Sequence, residues 1–134
     1  SCSSVCVQIG AIFWRLWAWN KGANNYYRAK ITRITPTHLD FALVYDGRKK
    51  RSYQRTEEVL IIDKEPSIGD VSPNSPVIAN QFSDRDKWWY RTGNVTRTSG
   101  DSLVFVRFDN GKEKVVPLER VRLVSRPPFC SDVK

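Results

Sequence analysis

Apolar residues along this 134-residue chain do not recur at the three- and four-residue spacing of an amphipathic helix. They come in short β-branched and aromatic runs, broken by Gly, Pro, Asn and Asp roughly every ten residues, as strands joined by turns require. The pattern predicts an all-β chain. Strands are expected at Ala11–Trp19, Tyr27–Ile34, Asp40–Tyr45, Lys50–Gln54 and Leu60–Ile62, then at Val77–Gln81, Tyr90–Thr96, Ser102–Phe108, Lys114–Pro117 and Arg122–Val124. In the first strand, two-residue alternation puts Phe13, Arg15, Trp17 and Trp19 on one face and Trp14, Leu16 and Ala18 on the other. Rings stand on both faces, so both cannot meet solvent.

The second set of five strands repeats the first. Tyr26–Arg33 matches Tyr90–Arg97, Leu43–Arg48 lies against Val106–Lys112 with Tyr45 on Phe108, and Glu57–Ile62 lies against Glu119–Val124. Three matched segments in a fixed order give a period of about sixty residues, too long for a solenoid unit and suited to a small closed barrel. The Pro/Ser/Gly-rich stretch Lys64–Pro76 marks the joint. The expected organisation is one barrel over 7–63, a second over 64–125, and flexible ends at 1–6 and 126–134. A domain of that size buries only about 60% of its unfolded surface, so the two are expected to pack together through a shared apolar face. Asp46-Gly47 and Asn110-Gly111 each sit between two strands, the composition of a tight hairpin that needs positive φ.

Charge narrows the partners. The formal net charge is +8, with ten Lys/Arg against five Asp/Glu over 7–63 and ten against eight over 64–125. Acidic ligands such as nucleic acid are favoured. Four cations form one run, Arg48-Lys49-Lys50-Arg51, which suits phosphate contact, nuclear import or a solvated turn. Cys2, Cys6 and Cys130 are an odd number at the chain ends, which indicates a reducing, intracellular setting rather than a disulfide framework. With His38, a turn residue, they lack the two close pairs of a structural zinc site, so no metal is expected. No nucleophile–base–acid set or phosphate-cradling glycine loop is present, so neither an enzyme nor a cofactor is expected. The uncharged run Val5–Trp14 is too short to span a bilayer, which speaks against a membrane partner. The lack of methionine suggests a piece cut from a longer protein or a processed product, and a monomeric module of a larger protein is expected.

Both halves share a pattern. An aromatic-ended first strand and a polar loop lead to Tyr-Tyr-x-Ala-x-Ile, Tyr26-Tyr27-Arg28-Ala29-Lys30-Ile31, matched by Tyr90-Arg91-Thr92-Gly93-Asn94-Val95, then a strand ending Tyr45-Asp46-Gly47 or Phe108-Asp109-Asn110-Gly111, then Glu-x-Val. Over residues 10 to 125 this resembles the Tudor family, and it implies two tandem five-stranded SH3-like (Tudor-like) barrels. The resemblance further implies a nuclear, chromatin-associated reader of methylated lysine or arginine on a histone or other nuclear peptide. A methylated cation keeps its charge but loses donors, so ring faces attract it and a carboxylate adds long-range pull. The family's cage positions fall on Trp19 (or Trp17 in a shifted register), Tyr27, Tyr45 and Asp46 in the first repeat. A secondary cage would use Phe82, Trp89, Phe108 and Asp109, with Trp89 joining only through a bulge. Arg48, Lys112 and Arg91 depart from the pattern by placing cations at cage positions. Core packing is the competing reading for every one of these rings. The other partner class is DNA or RNA, held by Lys30, Arg33, Arg48, Lys49, Lys50 and Arg51 beside exposed rings. A third is a protein-docking scaffold with no cage.

Overall fold

The computed structural model describes residues 8–17, 25–54, 60–80 and 89–124. Each apolar run becomes a strand: β1 (Ile12–Leu16), β2 (Asn25–Ile34), β3 (His38–Leu43), β4 (Lys50–Gln54), β5 (Ile61–Ile62), β6 (Pro76–Ala79), β7 (Trp89–Ser99), β8 (Leu103–Phe108), β9 (Glu113–Pro117) and β10 (Val121–Leu123). Helical structure among the described residues is limited to 3-10 turns at Ile68–Asp70 and Leu118–Arg120. No helix among them is long and apolar enough to cross a membrane.

The fold is all-β and antiparallel. Hydrogen bonds link β10-β6-β7-β2-β1-β5 in that order, β3 and β4 continue from β2, and β8 and β9 continue from β7. Among the described residues no ladder joins β10 to β5. The described residues divide into two compact units, unit 1 with 8–15, 28–54 and 60–62, and unit 2 with 16–17, 25–27, 63–80 and 89–124.

Within unit 1 the strand order is β5-β1-β2-β3-β4, and within unit 2 it is β10-β6-β7-β8-β9. The likeness extends to detail. β2 is bulged between Ile31 and Arg33, and β7 between Val95 and Arg97. In each bulge the extra residue is a threonine whose hydroxyl donates to the carbonyl across the ladder, Thr32 to Asp40 and Thr96 to Phe105, both at 3.3 Å. Before β1, Gly10 takes φ 90° and donates its N–H to Ile31 O; before β6, Asn74 takes φ 73° and donates to Val95 O. Asparagine tolerates this left-handed conformation better than other non-glycine residues, which is why it can stand in for glycine.

The cores differ in composition. Unit 1 buries Phe13, Trp14, Ile31, Leu39, Phe41 and Leu43. Unit 2 clusters Val77, Val95, Val104, Val106, Val116 and Val121 around Phe108. Phe13 and Trp14 are both buried although they point to opposite faces, as the crowding of rings in that strand demanded.

Several sequence expectations are corrected. β1 spans Ile12–Leu16, its register with β2 carried on by the Trp17 N–H, which donates to Asn25 O at 3.0 Å, and the expected continuation to Trp19 lies outside the described residues. β3 stops at Leu43, so Tyr45 lies in the following loop. Register pairs Ala29 with Leu43 and Gly93 with Phe108, so Phe108 corresponds to Leu43 and not to Tyr45. The cause is hairpin length. Leu43 N–H donates to Lys49 O, whereas Phe108 N–H donates to Lys112 O, so the first hairpin is two residues longer. That extra length relieves Gly47 of the positive φ expected there, while the shorter hairpin keeps Gly111 at φ 88°. Farther on, β1 pairs Phe13 with Ile62 and β6 pairs Val77 with Leu123, one residue off the proposed match of Ile61 to Leu123.

Candidate functional site

In unit 1, residues directly opposite one another in a ladder share a face. One row is Lys30–Ala42–Lys50, and the next is Arg33–Asp40–Ser52. Alternation explains why this face is polar: Ala29, Ile31, Leu39, Phe41 and Leu43 take the other side and are buried. Lys30 and Lys50 lie two strand spacings apart, about 10 Å, with only the methyl of Ala42 between them. Lys30, Arg33, Lys49, Lys50 and Arg51 are exposed, and Asp40, half-buried beside Arg33, is the acid in these rows. Arg51 lies opposite Phe41 yet stays exposed because β4 has no further neighbour among the described residues.

The hairpin between β3 and β4 adds Arg48 and Lys49. The Asp46 carboxylate accepts from the Arg48 backbone N–H and from its Nε, both at 3.1 Å. The side-chain bond with Arg48 is the main cause that holds the Asp46 carboxyl below its ordinary value of 3.8. Lys49 N–H then donates to Asp46 O at 3.0 Å and closes the turn. Other cations of unit 1 serve packing: the guanidinium of Arg15 stacks 3.5 Å from the Tyr53 ring centroid, and that of Arg28 lies 4.9 Å from Trp14.

The aromatic positions fare unevenly. Tyr45 is 41% exposed in the loop after β3, next to Asp46. Tyr27 belongs to unit 2, where it pairs with Trp89 across the β2–β7 ladder and is only 7% exposed. Trp17, the alternative to Trp19, is buried. Trp19 and Phe82 lie outside the described residues. The structure therefore brings Tyr45 and Asp46 together and places the Tyr27 ring in packing.

In unit 2 the secondary positions are committed elsewhere. Phe108 is in the valine core, and Trp89 is half-buried in a regular part of β7, since the bulge lies further along at Val95. Asp109 accepts from the Thr92 hydroxyl at 2.8 Å and is ion-paired to Arg91 Nε. A depression of about 320 Å³ lies over this region, between Pro76, Thr92, Gly93, Arg107, Asp109 and Val124. Its acid is already neutralised by Arg91, and Arg107 reaches Glu113 at 3.3 Å.

Sequence reasoning saw Arg48 and Arg91 as cations opposed to a cationic guest, but not that each arginine binds the nearby acid. The two-residue separation of Asp46 and Arg48, with a glycine between, was the available signal. The other feature missed is on the solvent side of unit 2, where Phe105 shares a row with Arg97 and Val115, and Leu103 shares one with Pro117. The unbroken apolar run Leu103–Val106 was its signal. Cys2, Cys6 and Cys130 lie outside the described residues, and no metal-binding cluster of His, Cys, Asp and Glu is formed among those described. His38 ends the Thr35–His38 turn, its N–H donating to Thr35 Oγ1 at 2.8 Å.

Compared with known proteins, the sequence matches no protein-family model and no curated protein.

Proposed function

We propose that this chain is a non-catalytic nucleic-acid-binding module, acting in the nucleus, whose unit 1 grips the phosphate backbone through Lys30, Arg33 and Lys50 on the sheet and Arg48, Lys49 and Arg51 at the hairpin. The observation that carries this reading is the row Lys30–Ala42–Lys50, two exposed ammonium groups on one rigid face with no acid between them. Rigid strands hold the charges at fixed spacing, so neutralising phosphates costs little ordering entropy. The chain's +8 charge draws a polyanion from a distance. Repeated strand order and matched bulges support a pair of SH3-like barrels of Tudor type as the scaffold.

Titration of labelled DNA and RNA at two salt concentrations tests the proposal. Log affinity is expected to fall with log salt by about 0.7–0.9 per phosphate neutralised. The double variant Lys30→Ala/Lys50→Ala is expected to weaken binding and to flatten that dependence by nearly two phosphates. Binding that ignores salt, or that survives the double variant unchanged, defeats the reading.

A second reading, capture of a methylated lysine or arginine of a histone or other nuclear peptide by Trp19, Tyr27, Tyr45 and Asp46, is favoured by one observation, the exposed Tyr45 beside an ionised Asp46. Against it stand the burial of Tyr27 and the occupation of Asp46 by Arg48. Arg48→Ala separates the two because it acts with opposite sign. It frees a carboxylate for a cationic guest and so strengthens methyl-peptide binding, whereas it removes a cation and so weakens nucleic-acid binding.

A further inference from the structure

The hairpin that makes unit 1 differ from unit 2 carries a ring as well as charges. Just past the end of β3, Val44, whose N–H donates to Arg28 O, and Tyr45 are 47% and 41% exposed. After Asp46 and Gly47 they are followed by four consecutive basic residues, so a ring and a cluster of cations share one exposed hairpin. The one acid in this stretch does not repel a phosphate strongly, since Arg48 holds it through two hydrogen bonds. The corresponding hairpin of unit 2, Asp109-Asn110-Gly111-Lys112, has no ring and one cation.

Resting on the nucleic-acid reading above, we infer that the ligand of unit 1 is single-stranded, with one base stacked on the Tyr45 ring while its backbone runs past Lys49 and Lys50. A phenol ring needs an open base face. In a duplex those faces are hidden in the stack and only edges and phosphates are offered, whereas a single strand presents a face at every nucleotide. The distance along the chain suits this. Tyr45 follows Ala42 of the Lys30–Ala42–Lys50 row by three residues and precedes Lys49 by four, and Tyr45, Lys49 and Lys50 are all exposed, so a backbone gripped at the basic run brings a neighbouring base to the ring.

The test uses the full chain, with fluorescence anisotropy of labelled single-stranded DNA, single-stranded RNA and a duplex of the same sequence, each at two salt concentrations. Tyr45→Ala is expected to weaken single-strand binding by roughly 5- to 150-fold, with duplex binding and the salt slope unchanged. Tyr45→Phe is expected to retain single-strand binding, because stacking needs the ring and not the hydroxyl. Comparison of the DNA and RNA strands shows which is preferred without bearing on stacking itself. Equal weakening of duplex and single strand by Tyr45→Ala, or no weakening of either, overturns the inference and leaves the phosphate-gripping reading intact. Absence of salt-dependent binding to all three ligands overturns that reading, and the inference with it.

Discussion

Units 1 and 2 share strand order, bulge, bulge threonine and the left-handed residue that opens each, yet the same sheet face is chemically opposite in the two. Unit 1 sets Arg33 against Asp40 and Ser52 where unit 2 sets Arg97 against Phe105 and Val115. Lys30 and Lys50 face water, whereas Arg107 reaches Glu113 and the guanidinium of Arg97 lies 3.7 Å from the Phe105 ring centroid. On this face unit 2 engages Arg97 and Arg107 internally, and unit 1 leaves its lysines exposed. A duplicated backbone does not carry a duplicated surface. Function is therefore to be sought where the copies differ, in the rows and hairpin of unit 1.

The comparison can be broken in the cores, where the largest effect is expected. Phe41 corresponds to Val106 in register and is fully buried. Phe41→Ala is expected to cost about 3–5 kcal/mol in urea unfolding. Little change would mean that the aromatic core of unit 1 is not what stabilises it.

A smaller effect is expected where unit 2 has a polar pin. Arg122 bonds Asp63 at 3.0 Å and the carbonyls of Glu119 and Val121 at 2.7 and 2.9 Å, while the corresponding residue of unit 1 is the buried Ile61. Arg122→Ile, which writes the unit 1 residue into unit 2, is expected to cost about 2–3 kcal/mol by removing the cationic half of the pair with Asp63. Adding Asp63→Ala is expected to recover much of that loss, because an ion pair removed whole costs far less than one removed by halves. A double variant no more stable than the single one would show that the pair is not coupled.

Gly93 and Ala29 occupy matched places. A Cβ on Gly93 would lie 2.7 Å from Arg107 O and 2.8 Å from Val106 Cγ1. Gly93→Ala is expected to lower stability by about 1–3 kcal/mol, and the reverse exchange Ala29→Gly by no more than about 1 kcal/mol. Equal costs in thermal melts would mean that the closer strand approach in unit 2 is unimportant.

The smallest effect concerns the hairpin of unit 1. The folded value of Asp46 is depressed, so its bond to Arg48 favours the ordered turn at and above the ordinary 3.8, and this contribution is lost as pH falls from there through the depressed value. An NMR titration should find the Asp46 carboxylate still ionised just below pH 3.8, and Arg48→Ala, which keeps the backbone bond, should move its titration up toward the ordinary value. Unchanged titration in the variant would remove Arg48 as the cause.

Much of the fold was legible. Short β-branched and aromatic runs between turn residues marked most strands to within a few residues of their observed ends, and β4 at Lys50–Gln54, which has no β-branched residue, was placed by the Asp46-Gly47 turn before it. Less could be read of the site. Tyr45 and Phe108 look equivalent because each precedes an Asp and a turn glycine, yet a two-residue difference in hairpin length puts one ring in solvent and the other in the core. Tyr27 illustrates a second obstacle. Alternation gives the face of a strand on which a side chain stands, but not whether a neighbouring ladder, here β2 against β7, covers that face.

Among the described residues, β4 and β9 each have one hydrogen-bonded neighbouring strand, so each forms an edge of its unit's sheet. Such a rim invites another chain to add itself, strand upon strand, and Lys50 and Arg51 on β4, with Lys114 and Pro117 on β9, are the residue types that discourage it. Lysines removed to weaken a ligand thus also remove a guard against self-association, and any such variant needs its monomer content measured before its lost affinity is credited to the ligand.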